Sequence, residues 1–313
     1  MALISEKTAF IFPGQGSQAL GMGKELAAEF VVAREIYAQA DSILDFPISR
    51  LSWEGPEEAL NDTYNTQPAL LVHSIAALRV FKEYFPNFAP AYVAGHSMGE
   101  LSALVACKSL IYRQALELTR IRGKLMKQAG ELNPGGMAAI LGLEIPLLEE
   151  ICRQASTTTE IVQVANDNCP GQVVISGHLP ALDRALELAQ NAGARRIVKL
   201  AVSIASHSPL MAHAQAGFTQ AVNEAPIQDP LMPVIGNVSA LPLNTAADIR
   251  SDLKAQLTSR VRWTESIQWL INQGVTDFIE LGTGSVLSGL IKRIDRQVNT
   301  YNLGQPADFD KLT

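Results

Sequence analysis

Short apolar runs of strand length alternate along this chain with stretches of helical spacing. Thr8–Phe12 is a run of the first kind and stops at Pro13-Gly14. Leu70, Leu71, Ile75, Leu78 and Phe81 share one face and predict a helix over 67–83. Residues 91–94 predict a short buried strand, 99–107 and 113–129 two helices, and 234–235 and 278–281 two later strands. This alternation predicts an α/β layer fold with a largely parallel sheet. Residues 132–204 read differently. After the breaker Asn133-Pro134-Gly135-Gly136 the pattern predicts strand 137–143, helix 146–155, strand 161–166, turn 167–171, strand 172–176, helix 180–192 and strand 196–202. That βαββαβ order is the ferredoxin-like split unit. The expectation is a large core, residues 1–131 and 205–313, and a small inserted subdomain, residues 132–204, with a ligand cleft between them.

Composition narrows the classes. The chain has 313 residues, 47% hydrophobic and 18% charged, which supports a buried core and excludes disorder. The net charge of −6 has the wrong sign for a nucleic-acid footprint. Cys107, Cys152 and Cys169 are too scattered for a disulfide framework or a structural zinc site. Residues 1–12 carry Glu6 and Lys7 and lack the plan of a signal peptide. No apolar run approaches the ~18 residues that span a bilayer. A reducing, cytoplasmic setting without membrane contact is expected.

Gly95-His96-Ser97-Met98-Gly99 matches G-x-S-x-G between a predicted strand and a predicted helix. Glycines there permit a sharp turn that lifts a serine hydroxyl above the sheet, and the Met98 amide would face a developing oxyanion. A serine nucleophile needs a base. Of His73, His96, His178, His207 and His213, only His207 sits at an element end in the Ser-before-His order, 110 residues after Ser97. His73 reads as a polar face position of its helix. No acid stands persuasively between Ser97 and His207, since Asp167 and Asp183 fall in the small lobe, but a backbone carbonyl can orient a histidine equally well. Arg122, among apolar neighbours, suits a forked contact with a carboxylate, while Arg120, Lys124 and Lys127 read as solvated. A rival reading starts from Gly14-x-Gly16-x-x-Ala19 with Glu35 further on, the dinucleotide fingerprint of an NAD(P) oxidoreductase. In the other reading, Gln15 lines the serine site and donates to the oxyanion.

With those residues placed, the chain resembles the malonyl-CoA:acyl carrier protein transacylases of bacterial type II fatty-acid synthesis. The likeness is carried by Phe12-Pro13-Gly14-Gln15-Gly16-Ser17-Gln18, Thr66-Gln67-Pro68-Ala69-Leu70, Gly95-His96-Ser97-Met98-Gly99-Glu100 and Arg122-Gly123. It continues through Asn168-Cys169-Pro170-Gly171-Gln172, Ser206-His207-Ser208, and Gln256-Leu257 with Val261 and Trp263. The resemblance implies a hydrolase-like core with the inserted subdomain. It implies Ser97 as acylated nucleophile, His207 as base, the backbone carbonyl of Gln256 as its orienting group, and the amides of Gln15 and Met98 as the oxyanion hole. It implies Arg122 as clamp for the malonyl carboxylate, with Asn168, His96, Met126 and Ser206 also binding substrate. Malonyl-CoA and acyl carrier protein would be the partners, with no metal or redox cofactor, and the enzyme a monomer. An acidic carrier protein must find a local basic surface on this acidic chain, and Arg195, Arg196 and Lys199 are the candidate. The chain departs from the family pattern at Thr283 and Arg260, where prolines are frequent. Its Ala205-Ser206 before His207 is frequent in acyltransferases for the bulkier methylmalonyl unit. A methylmalonyl-selective or polyketide-type acyltransferase, a serine (thio)esterase and a catalytically silent carrier-binding subunit are the other readings.

Overall fold

The computed structural model describes residues 3–202 and 204–311. Met1, Ala2, Ser203, Leu312 and Thr313, counted above within the core and subdomain segments, lie outside the described residues. The strands are β1 (Thr8–Phe12), β2 (Tyr92–Gly95), β3 (Gly135–Leu141), β4 (Val162–Cys169), β5 (Gln172–His178), β6 (Arg196–Lys199), β7 (Val234–Ile235), β8 (Pro242–Leu243), β9 (Val261–Arg262), β10 (Asp277–Leu281) and β11 (Asn299–Leu303). They form two sheets.

The core sheet runs β11-β10-β1-β2-β7-β8, parallel except for the last pair. β1 and β10 are buried at every position, as strands covered by helices on both faces must be. The helix Thr63–Tyr84 is buried around nearly its whole circumference. Asp62 starts it by accepting from the Tyr64 amide. A helix apolar on all sides belongs in a core, and Phe81 meets Phe10 of β1 edge-on with ring centroids 5.0 Å apart. His73 on this helix is therefore not a polar face position. It is fully buried, its Nδ1 lies 3.1 Å from the Tyr37 hydroxyl, and burial pushes it down to about 4.

The second sheet runs β6-β3-β5-β4-β9. Its first four strands are antiparallel and are joined through the helices Ile145–Ala155 and Leu179–Asn191 in βαββαβ order. β9, from residues beyond 204, adds a fifth strand parallel to β4. The turn expected at 167–171 is shorter than the pattern implies. β4 continues to Cys169, with register shifts between Val164 and Asn166 and between Asp167 and Cys169. Alternation breaks at such irregularities, which hides the strand from a period-of-two reading.

Candidate active site

The carboxyl ends of neighbouring parallel strands are where an α/β sheet presents ligands and reactive groups. In this register Phe12 of β1 pairs with Gly95 of β2, and Ala94 pairs with Ile235 of β7. The loops that follow, 13–16, 96–98 and 236–237, therefore emerge side by side.

Ser97 has φ of +52°, a left-handed conformation that L residues rarely adopt and that its surroundings must hold. The flanking glycines are required by contact. A Cβ on Gly95 would come within 2.0 Å of the Gly99 carbonyl carbon, and one on Gly99 within 2.2 Å of the Phe12 carbonyl oxygen. A Cβ on Gly14 would meet the His96 carbonyl oxygen at 2.4 Å, so the 13–16 loop lies directly on the serine turn. That contact, and the chain after it, set aside the dinucleotide reading. No helix opens at Gly16; the next begins at Lys24, and Glu35 sits inside the helix Val31–Leu44 rather than after a second strand. The Gln15 and Met98 amides donate to no protein group among the described residues.

The Ser97 hydroxyl lies 2.8 Å from His207 Nε2. His207 Nδ1 lies 2.9 Å from the backbone carbonyl of Gln256, which can only accept, so Nδ1 carries the proton and Nε2 is free to take one. The Gln163 amide donates to the His207 carbonyl at 2.8 Å and holds the loop from behind. Burial, then the Arg122 charge, pushes His207 down to about 3. Its imidazole therefore stays neutral, with Nε2 unprotonated, well below pH 6. Acylation rate measured under kcat/KM conditions is expected to stay nearly flat from pH 8 to pH 5. A histidine at the ordinary 6.5 would lose about thirtyfold over the same span. Stopped-flow acylation across that range distinguishes the two.

Arg122 is 1% exposed on the helix Tyr112–Leu132. Nη1 donates to Gln67 Oε1 at 2.8 Å, and Nη2 donates to Gln256 Oε1 at 2.8 Å and to the Ser97 hydroxyl at 3.1 Å. None of these partners is a carboxylate, and Nε has no partner. Burial lowers the guanidinium to about 10, still about three units above neutrality, so the charge persists at pH 7. The helix reaches this depth because Gly123 packs where a Cβ would stand 2.9 Å from the Thr63 carbonyl. Arg120 is not merely solvated. Pro68, inside the Thr63–Tyr84 helix, has no N–H for the Tyr64 carbonyl four residues earlier. Arg120 Nη1 donates to that carbonyl at 2.8 Å, and the guanidinium lies over the Tyr64 ring. Lys127 likewise pairs with Asp62 at 2.5 Å.

The other residues singled out by the sequence are distributed around this centre. His96 Nε2 lies 2.9 Å from Asn168 Oδ1, which ties the serine turn to β4, and its ring meets Trp263 edge-on. Met126 is buried and its sulfur accepts from Gln67 Nε2 at 3.3 Å. Ser206 is buried beside His207 in sequence. Arg195 and Arg196 are exposed, whereas Lys199 is engaged by Asp183 at 2.6 Å. A cleft of about 370 Å³ is lined by Gln15, by Thr63 at the start of one helix, by Lys127 near the end of another, and by Pro134, Val202 and Ile204.

Two residues went unassigned in the sequence. Asn237 Oδ1 accepts from the Ser97 amide at 2.7 Å, and its Nδ2 donates to the Gly95 carbonyl at 2.7 Å and to Glu100. Glu100 is fully buried and also accepts from Gln256 Nε2 at 2.8 Å; burial and Asp252 push its carboxyl well up. Asn237 follows β7 by two residues, and its place at a strand's carboxyl end was the one available signal.

A serine held against a neutral histidine above a parallel sheet defines a serine-dependent acyl-transfer protein of the α/β class. The chain belongs to the acyl transferase domain family, whose model matches residues 9–303. It is 45% identical to the malonyl CoA-acyl carrier protein transacylase of Bacillus subtilis over 97% of this chain and 95% of that one. The crystal structure of a malonyl-CoA:acyl carrier protein transacylase from Xanthomonas oryzae superposes with a TM-score of 0.95 at 42% identity, covering 99% of this chain and 98% of the other. A malonyl-transacylase in complex with a type II PKS acyl-carrier protein superposes at 0.94 with 39% identity, covering 98% of each chain. Among the described residues no helix is long and apolar enough to cross a membrane.

Proposed function

We infer that this chain is a malonyl-CoA:acyl carrier protein transacylase of fatty-acid synthesis, working in the cytoplasm. The observation that carries the malonyl specificity is Arg122: a buried guanidinium without a carboxylate partner, one of whose N–H groups touches the proposed nucleophile at 3.1 Å. Glu100 acts on the guanidinium without a hydrogen bond to it, and burial pushes that carboxyl well up. A buried cation with no hydrogen-bonded counter-ion is completed by a free carboxylate on the acyl group, which also brings its thioester to Ser97.

In the first half-reaction His207 Nε2 takes the Ser97 proton as the oxygen attacks the thioester carbonyl. The developing oxyanion is received by the amides of Gln15 and Met98. The tetrahedral intermediate collapses, the C–S bond breaks, and CoA leaves with the proton from His207. In the second half-reaction the pantetheine thiol gives its proton to His207 and attacks the seryl ester. The C–O bond breaks and Ser97 recovers a proton. The Gln256 carbonyl keeps Nδ1–H in place in both directions. No electrons change hands, so the transfer as proposed needs no redox cofactor, and His207 with the two amides is proposed to supply the proton transfer and oxyanion stabilisation without a metal. His96, Asn168, Met126 and Ser206 are proposed to shape the acyl site around this path.

Labelled malonyl-CoA with and without phosphopantetheinylated carrier protein tests this reading. Labelled enzyme alone, followed by label on the carrier, is expected; release of free malonate instead would assign a thioesterase. We propose that Arg195 and Arg196, with Lys199 beside them, receive the acidic carrier. In the same assay at low salt, reversing Arg195 and Arg196 to glutamate should raise the KM for carrier severalfold and leave enzyme labelling intact. Screening within ~8–10 Å at physiological ionic strength should shrink the effect. An unchanged KM at low salt places docking elsewhere.

A further inference from the structure

Arg122 is embedded in a chain of side chains whose donor and acceptor roles follow from one another. A guanidinium can only donate, so the atoms of Gln67 and Gln256 that face it are their oxygens. The Gln67 amide nitrogen therefore points the other way and donates to the Thr63 hydroxyl at 3.0 Å. That hydroxyl, having accepted, donates to the Gln15 side-chain oxygen at 2.8 Å. On the far side, Gln256 Nε2 donates to the Ser97 carbonyl at 3.2 Å and to Glu100. Gln67 is 1% exposed, and Pro68 follows it at the point where the helix ladder is interrupted.

We propose that Gln67 is a positioning and specificity-determining residue: its neutral amide oxygen fixes the Arg122 fork toward Ser97 without cancelling its charge. The inference rests on the reading of Arg122 as the malonyl clamp. A carboxylate at the same spot would hold the fork equally well, since it has the same length and the same acceptor geometry. It would also form a permanent internal ion pair, and the substrate carboxylate would then have to compete with it. An amide supplies the geometry alone. Thr63 extends the same chain to Gln15, so the carboxylate clamp and the proposed oxyanion loop share one hydrogen-bonded support.

The test compares acylation of Ser97 by malonyl-CoA and by acetyl-CoA in the full chain, read as intact mass against time. Gln67→Glu is expected to lower the ratio of malonyl to acetyl acylation by ~10-fold or more. Gln67→Met, which keeps the length but has no acceptor oxygen, is expected to lower it by a smaller factor. In an Arg122→Ala background Gln67→Glu should change the ratio no further, because the residue acts through the guanidinium. A purely structural role would depress both donors together and leave the ratio where it was; that result in Gln67→Glu overturns the proposal. If Gln67→Glu fails to fold by circular dichroism, Gln67→Met decides: a lowered ratio supports the role, an unchanged one overturns it. Loss of selectivity in Arg122→Ala with none in either Gln67 variant overturns this inference alone, whereas undiminished selectivity in Arg122→Ala removes the clamp reading beneath it.

Discussion

Ser97→Ala yields no covalent acyl-enzyme with malonyl-CoA, and transfer to carrier protein falls by ~10³-fold or more. The reason is geometric. The Ser97 hydroxyl is the group hydrogen-bonded to His207 Nε2, at 2.8 Å, and the nearby Ser208 hydroxyl is engaged elsewhere. Ser208 donates instead to the Ala205 carbonyl, at 2.7 Å. Alanine removes one oxygen from a turn held by the Asn237 side chain and by glycine contacts, so the fold should survive, although the positive φ at this position remains strained. Intact-protein mass spectrometry after exposure to malonyl-CoA reads the result. An 86 Da-class adduct, of about one malonyl group, persisting on the variant with unchanged stoichiometry would show that the acyl group resides elsewhere.

Arg122→Ala costs malonyl transfer at least tenfold more than acetyl transfer. A charge-assisted hydrogen bond contributes ~1.5–3 kcal/mol and a forked pair in a dry site more, and only the malonyl donor carries the carboxylate that makes it. Removing the guanidinium also strips Gln67 and Gln256 of a donor, which lowers both activities somewhat. The selectivity ratio isolates the charge from that general loss. A second readout is the base. With the cation gone, one of the influences holding His207 down disappears, so the acid limb of the rate profile should move to higher pH. Equal losses for the two donors would make Arg122 a structural arginine.

Much of this protein was legible because its signals are local. Glycines around Ser97 encode a turn that no other residue type could pack, and that requirement is written within five positions. The alternation of strand and helix, and the βαββαβ order in 132–204, follow from the period of apolar residues, which is also a short-range property. Misreadings arose where a residue's environment is made by distant chain. His73 reads by type as a polar face position, yet its helix is covered on nearly every side. Arg120 looked solvated until Pro68, on another helix, freed a carbonyl for it. The dinucleotide pattern at Gly14 has the right spacing, but the turn is spent on packing against His96 and no helix follows.

The sequence by itself determined the α/β class, the sharp serine turn, the absence of an obvious acid partner for His207, and an arginine out of place among apolar neighbours. Only the tertiary structure decided what those groups touch. Asn237 reaches the Ser97 amide from 140 positions away because β7 lies beside β2 in register. Arg122 meets Gln67 because Gly123 lets two helices close together, and the Gln256 carbonyl meets His207 from a third helix end. Local patterning constrains dihedral angles and buried faces, whereas hydrogen bonds between side chains depend on ångström-scale registers and helix separations set by the packing of the whole core.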